Sequence, residues 1–232
     1  MIPIEYELEK LTKTCYEMFD MVSIQLQKCK KVVLDKNLGL ADDIVRKEIR
    51  VNALELNIER ECENILALKT PAAADFRFVI AILKTSSNLE RIGDHAFHMA
   101  EYVLNEEITL TKDQIIELQI DTMFKTAVDM LASAITALEN KDTEIAKALF
   151  KMDKTLDKIT ENAPEFIEKK ILEDKKNIQP FLYAYRVIGK LERIGDLIKN
   201  IGEEIIFYVE SDIIRHKKRN KKIFRTYIKE QE

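Results

Sequence analysis

Tryptophan is absent from the 232 residues, and glycine (5), proline (4), cysteine (3) and histidine (3) are scarce. Sheets need many turns, and turns draw on glycine and proline, so this scarcity argues against a strand-rich fold and for long helices. The cysteines, Cys15, Cys29 and Cys62, are odd in number and form no C-x-x-C pair. They read as reduced thiols serving as small core hydrophobes in a cytoplasm, not as a disulfide framework or zinc site. With so few histidines there is no Glu-x-x-His pair, which weighs against the alternative of a metal-dependent enzyme on a helical bundle, such as a di-iron oxidase or hydrolase. No Ser-His-Asp or Cys-His arrangement and no glycine-rich phosphate loop can be drawn either. Apolar runs are short, as in VIAIL at 79–83, far below the 18 or so residues of a membrane span. The opening MIPIEYELEK is acidic and does not resemble a secretory signal. Charge of neither sign prevails: 37 basic against 41 acidic residues, net −4, argues against a nucleic-acid binder. A soluble, cytoplasmic protein follows, one that meets a membrane only indirectly.

What is present is helical periodicity. It predicts six long helices over about 4–36, 41–68, 70–104, 112–139, 142–173 and 180–210. Gly39 is expected to cap the first in the left-handed conformation, and Thr70 with Pro71 to open the third. Pro164 is expected to kink the fifth. The residues from Asn105 to Thr111 lack the pattern and form the link between halves.

The halves are copies. Leu89-Glu90-Arg91-Ile92-Gly93-Asp94 returns as Leu191-Glu192-Arg193-Ile194-Gly195-Asp196, 102 positions on (191 − 89), and Glu101 has its counterpart in Glu203. A weaker match sets Ala41–Glu55 against Ala146–Thr160. The fold class is therefore all-α: two tandem, pseudo-symmetric three-helix bundles made by duplication. They occupy residues 1–106 and 107–211, with a basic tail over 212–232 whose densest part is Arg215 to Lys222.

On a helical wheel Glu90, Asp94 and Glu101 fall within about 40° of one another, on the border of an apolar arc. Glu192, Asp196, Asn200 and Glu203 repeat the stripe, while Arg91 and Arg193 point to solvent. Asp153 and Asp157 flank the core of the fifth helix, away from Lys151, Lys154 and Lys158. If the fifth and sixth helices pack side by side, Asp153, Asp157, Glu192 and Asp196 converge, and their repulsion demands protons, arginines or a cation. Oxygen donors suit magnesium, manganese, iron or zinc. A lone E-x-x-x-D is more often one side of a surface salt bridge; the duplication and the second pair of acids favour cation binding here. In the first half Glu48, Asn52, Glu55 and Glu59 flank the core, so Asn52 stands where the repeat has Asp157, and a weaker site is expected. His98 is a possible ligand, whereas His95, whose repeat partner is Leu197, is expected on the exposed side. Gly93 and Gly195 mark close approach of a neighbouring helix, for metal or for packing alone.

Pro71-Ala72-Ala73-Ala74-Asp75-Phe76-Arg77, Leu89 to Ala96 and Met99-Ala100-Glu101, with the echo at Leu191 to Asp196, Asn200-Ile201 and Glu203, closely resemble the PhoU family of phosphate-uptake regulators. The resemblance implies two three-helix bundles, a homodimer, no enzymatic activity, and multinuclear metal clusters. By position the ligands it implies are Glu48, Glu90 and Asp94 in the first bundle, and Asp153, Asp157, Glu192 and Asp196 in the second. It further implies partners: the ATPase of the phosphate ABC transporter and a PhoR-type sensor kinase. Asn52, and His98 where the family usually has Asn, depart from the pattern in the first bundle, and the basic tail lies outside it. A membrane-surface adaptor acting through that tail is a further alternative.

Overall fold

The computed structural model describes residues 3–105 and 109–211. Its helices are α1 (Ile4–Asp35), α2 (Leu38–Leu68), α3 (Ala73–Asn105), α4 (Lys112–Glu117), α5 (Ile120–Asn140), α6 (Thr143–Glu173) and α7 (Ile178–Glu210), with a 3-10 turn at Lys175–Asn177 before α7. Helices α1, α2 and α3 pack into one bundle and α5, α6 and α7 into another. The bundles join along α3 against α7 and, less extensively, α1 against α5. Each expected long helix is present, and among the described residues there is no strand. The basic run from Arg215 to Lys222 lies outside the described residues.

The periodicity explains the core: α1 buries Leu11, Cys15, Met18, Phe19, Val22, Leu26 and Cys29, which share one face at steps of three and four. Burial pushes the Cys15 and Cys62 thiols up to about 12, and Cys29 higher still, so all three are packing groups rather than nucleophiles. No helix among the described residues is long and apolar enough to cross a membrane.

Several helix ends differ from expectation. Gly39 does not cap α1; Lys36 does so in the left-handed region (φ 52°), and Gly39 lies inside α2. The side chain of Asn37 accepts from the Leu40 amide at 3.1 Å, and this cap starts α2 earlier than the apolar pattern suggested. Thr70 is not an N-cap: it adopts φ 45° and α3 begins at Ala73. An N-cap holds extended backbone, and the positive φ of Thr70 takes it out of that region. The fourth helix is broken. Thr111 and Gln114 form a reciprocal capping box that starts α4, and Gln119, in the left-handed region, separates it from α5. Helix α6 runs through Pro164 without ending.

Candidate functional site

Helices α6 and α7 pack against each other, and Gly195 and Gly202 both lie where α6 approaches α7 closely. That approach brings Asp153, only 3% exposed, to the stripe on α7. Lys199 joins the two elements: its Nζ lies 2.6 Å from Asp153 Oδ2 and also contacts Asp196 Oδ1. Asp157 and Asp196 act electrostatically on both Asp153 and Glu192, so the four acids do converge. Burial, reinforced by these neighbouring carboxylates, raises Asp153 and Glu192 above their usual range, while Lys199 pulls Asp153 back. Burial works against the charge on Lys199, yet its bonds to Asp153 and Asp196 outweigh this and raise its pKa. Asn200 and Glu203 stand half-buried further along α7.

The first bundle repeats the layout with different compensation. Glu48, 8% exposed, comes from α2 to the stripe on α3 and accepts from Gln25 Nε2 at 3.4 Å. Burial, then Asp94 and Glu90, push its carboxyl up to about 7. Glu90 is raised too, by burial and by Glu55 and Asp94. His98 bridges Asp94 and Glu101 at 3.3 Å each. Asn52, the counterpart of Asp157, is exposed. Gln25 Oε1 is buried without a hydrogen-bond partner, and a methyl at Gly93 would sit 3.1 Å from it. Where the second seam sets a lysine against its acids, the first has the Gln25 amide and the His98 ring beside them, and burial favours a proton on Glu48.

These observations bear on a bound metal. The donors are hard oxygens under mutual repulsion, which suits a divalent cation. Their arrangement does not: among the described residues no group of three or more His, Cys, Asp or Glu stands ready to hold an ion. Side chains would have to rotate first, and in the second seam the ammonium of Lys199 would have to leave.

Two residues that shape the seams were not singled out from sequence. Lys199 follows Asp196 by three positions, a spacing that could have flagged an i, i+3 pair. Gln25 interrupts the apolar face of α1 between Val22 and Leu26, and a lone polar residue on a core face is itself a signal. His95 corrects an expectation. It is 9% exposed, not on the surface, because the face of α3 opposite the first core packs on α7. Its Nδ1 lies 3.4 Å from Lys190 Nζ, and burial followed by that charge lowers its pKa to about 4.

The charge on Glu48 makes a testable pH dependence. Its carboxyl binds a proton more tightly folded (about 7) than at its ordinary 4.5, so its contribution to stability is full below pH 4.5 and lost as pH rises through 7. Glu48→Gln in chelator is therefore expected to be more stable than the parent by about 2 kcal/mol at pH 8, at roughly 1.4 kcal/mol per pKa unit and allowing for partial solvation. The gain should shrink through pH 6 and vanish near pH 4.5. Denaturant titrations at the three pH values check this; a gain independent of pH would contradict it.

The PhoU domain matches residues 16–103 and again 120–205, one match per bundle. The chain belongs to the PhoU family. It is 30% identical over 212 residues to the phosphate-specific transport system accessory protein PhoU homolog of Pseudomonas putida, covering 90% of this chain and 82% of that one. To the PhoU of Escherichia coli (strain K12) it is also 30% identical, over 210 residues, covering 90% and 86%. The crystal structure of PhoU from Pseudomonas aeruginosa superposes with a TM-score of 0.82 at 28% identity, covering 90% of this chain and all of that one (100%). The phosphate transport system regulatory protein PhoU from Streptococcus pneumoniae gives 0.81 at 28% identity over 91% of this chain. The two PhoU matches coincide with the internal repeat, so the duplication seen in Leu89–Asp94 and Leu191–Asp196 is that of the PhoU domain itself.

Proposed function

We propose that this protein is a cytoplasmic, non-enzymatic regulator of phosphate homeostasis that restrains high-affinity phosphate uptake and phosphate-starvation signalling through protein contacts. The observation that carries the reading is the pair of PhoU domains spread over a chain whose relatives are named accessory proteins of the phosphate-specific transport system. The geometry is consistent with a binding protein: rigid helices, and acids stabilised by proton, histidine or lysine instead of being poised around an open reaction centre. The partners are the ATPase of the transporter and a PhoR-type sensor kinase, and the protein works as a homodimer. Exposed Ile49 and Leu56, seven positions apart on α2, offer apolar contact area to a second copy. Pull-down of the tagged full chain from phosphate-replete cells is expected to retain the transporter ATPase and the sensor kinase. Retention of neither, with uptake unchanged in a deletion strain, would refute the regulatory role.

The carboxylate seams are proposed to take divalent cations, iron, zinc, manganese or magnesium, in place of the Lys199 ammonium and the Glu48 proton. Glu48, Glu90 and Asp94 would hold the first, and Asp153, Asp157, Glu192 and Asp196 the second, with Asn52, His98, Glu101, Asn200 and Glu203 as further donors. What supports this is oxygen chemistry and duplicated placement. Asp153→Ala combined with Asp157→Ala should lower bound metal by about half or more, since the first seam, with Asn52 in place of Asp157, is the weaker donor set. Elemental analysis reads the result, and unchanged metal content would remove the second seam as a site.

A further inference from the structure

A cavity of about 460 Å³ opens where the first half of α1, the start of α3, the end of α5 and the end of α7 meet. Its walls carry the rings of Tyr16, Phe78 and Tyr208, the last two with centroids 5.1 Å apart. Three carboxylates stand on the same lining: Glu9 and Glu139, both exposed, and Asp75, half-buried. Among the described residues no ion pair engages any of these three acids. One cation lies with them, Lys141, whose Nζ is 5.7 Å from the centroid of the Tyr208 ring. Aromatic faces with an excess of acid suit further basic side chains, whose stems lie on the rings while their heads meet carboxylates. The chain supplies a segment of that kind at the rim of the cavity. Helix α7 ends at Glu210, two positions after Tyr208, and Ser211, whose amide donates to the Phe207 carbonyl at 3.0 Å, takes the left-handed conformation (φ 59°). A left-handed residue there turns the chain off the helix axis instead of prolonging it. Residues 212–232 hold eight basic side chains against three acidic ones, although the whole chain is net −4. From Ser211 to Lys218 an extended chain spans up to about 23 Å, well beyond the width of a cavity of this volume. Attachment beside the cavity gives the segment an effective concentration of roughly millimolar order, so weak charge contacts suffice to hold it.

We propose that this cavity is the docking site of the chain's own basic segment after Ser211, with side chains between Arg215 and Lys222 lying on the Tyr16, Phe78 and Tyr208 rings and against Glu9, Asp75 and Glu139. Docked, the segment covers the cavity and keeps its charge from anionic surfaces; released, it exposes both. The contact is separate from the carboxylate seams and from the regulatory role, and its failure would leave both standing.

The test is limited trypsin cleavage of the full chain between Arg215 and Lys222, read by mass spectrometry. One variant combines Glu9→Gln, Asp75→Asn and Glu139→Gln. A control with the same change of charge combines Glu161→Gln, Glu165→Gln and Glu168→Gln, exposed positions on α6 outside the cavity. Neutralising the cavity acids is expected to speed cleavage about tenfold at low salt, and the difference should fade near 0.5 M salt, where charges are screened beyond about 4 Å. The control should cleave at the parent's rate. Vesicles of phosphatidylglycerol give a second reading: the cavity variant, its segment released, should bind them about tenfold more tightly than the control does. Cleavage as slow in the folded cavity variant as in the parent would overturn the proposal, as would equal acceleration in the control or equal vesicle binding by the two variants. Protection that falls on dilution would assign the occupant to a second copy and overturn docking within one chain. Thermal melts verify the fold of each variant, and Glu139→Gln alone, at an exposed position, should shift cleavage in the same direction by a smaller factor.

Discussion

Gly195→Ala is expected to destabilise the protein by about 2 kcal/mol, the balance of a gain of roughly 1 kcal/mol in helix propensity and an overpacking cost of about 3 kcal/mol. The added methyl would overlap Leu156 Cδ1 and stand 2.9 Å from Asp153 Oδ1. Leu156 is fully buried and Asp153 nearly so, and neither can turn away without disturbing the core or the contact with Lys199. For a chain of this length the change should lower Tm by about 4–8 °C. Gly189→Ala is the internal control: open space surrounds that position, and the same propensity gain should raise stability by up to about 1 kcal/mol. Thermal and denaturant unfolding of the two variants decide the matter, and a Gly195→Ala protein as stable as the parent would show that α6 and α7 are not held as close as described.

Removing the lysine from the second seam should have an effect of similar size for an electrostatic reason. Lys199→Met leaves Asp153 buried among Asp157, Asp196 and Glu192 with no cation. Breaking a fully buried pair costs about 3–5 kcal/mol; Lys199 and Asp196 are partly in water, so about 2 kcal/mol is expected at pH 8. The loss should be smaller at pH 5 than at pH 8, because burial already raises the Asp153 carboxyl and removing the lysine that pulls it back favours its protonated form in the folded state. Adding Asp153→Asn to Lys199→Met should recover most of the stability at pH 8. If a divalent cation takes the place of the ammonium, Lys199→Met should bind manganese or magnesium at least tenfold more tightly than the parent, and the bound ion should restore its melting temperature. Stability lost equally at both pH values, with no gain in ion affinity, would mean that Lys199 contributes packing and not charge.

The sequence by itself determined the helices, the duplication and the acid stripes. These follow from local geometry: a repeat of 3.6 residues places Glu90 and Asp94, or Asp153 and Asp157, on one flank whatever surrounds them. The pairing of Asp153 with Glu192 and Asp196 was legible only on the condition that the fifth and sixth expected helices pack side by side, a condition that α6 against α7 meets. The tertiary structure decided what those stripes face. His95 looked exposed because one helix cannot reveal that its second face is covered by α7. Lys199 and Gln25 became part of the seams because a long side chain reaches across a helix pair, a distance that sequence spacing does not encode. Gly39, Thr70 and Gln119 differed for a related reason: helix ends depend on which side chain caps first and where the chain must turn, a competition of about 1 kcal/mol that apolar periodicity does not register.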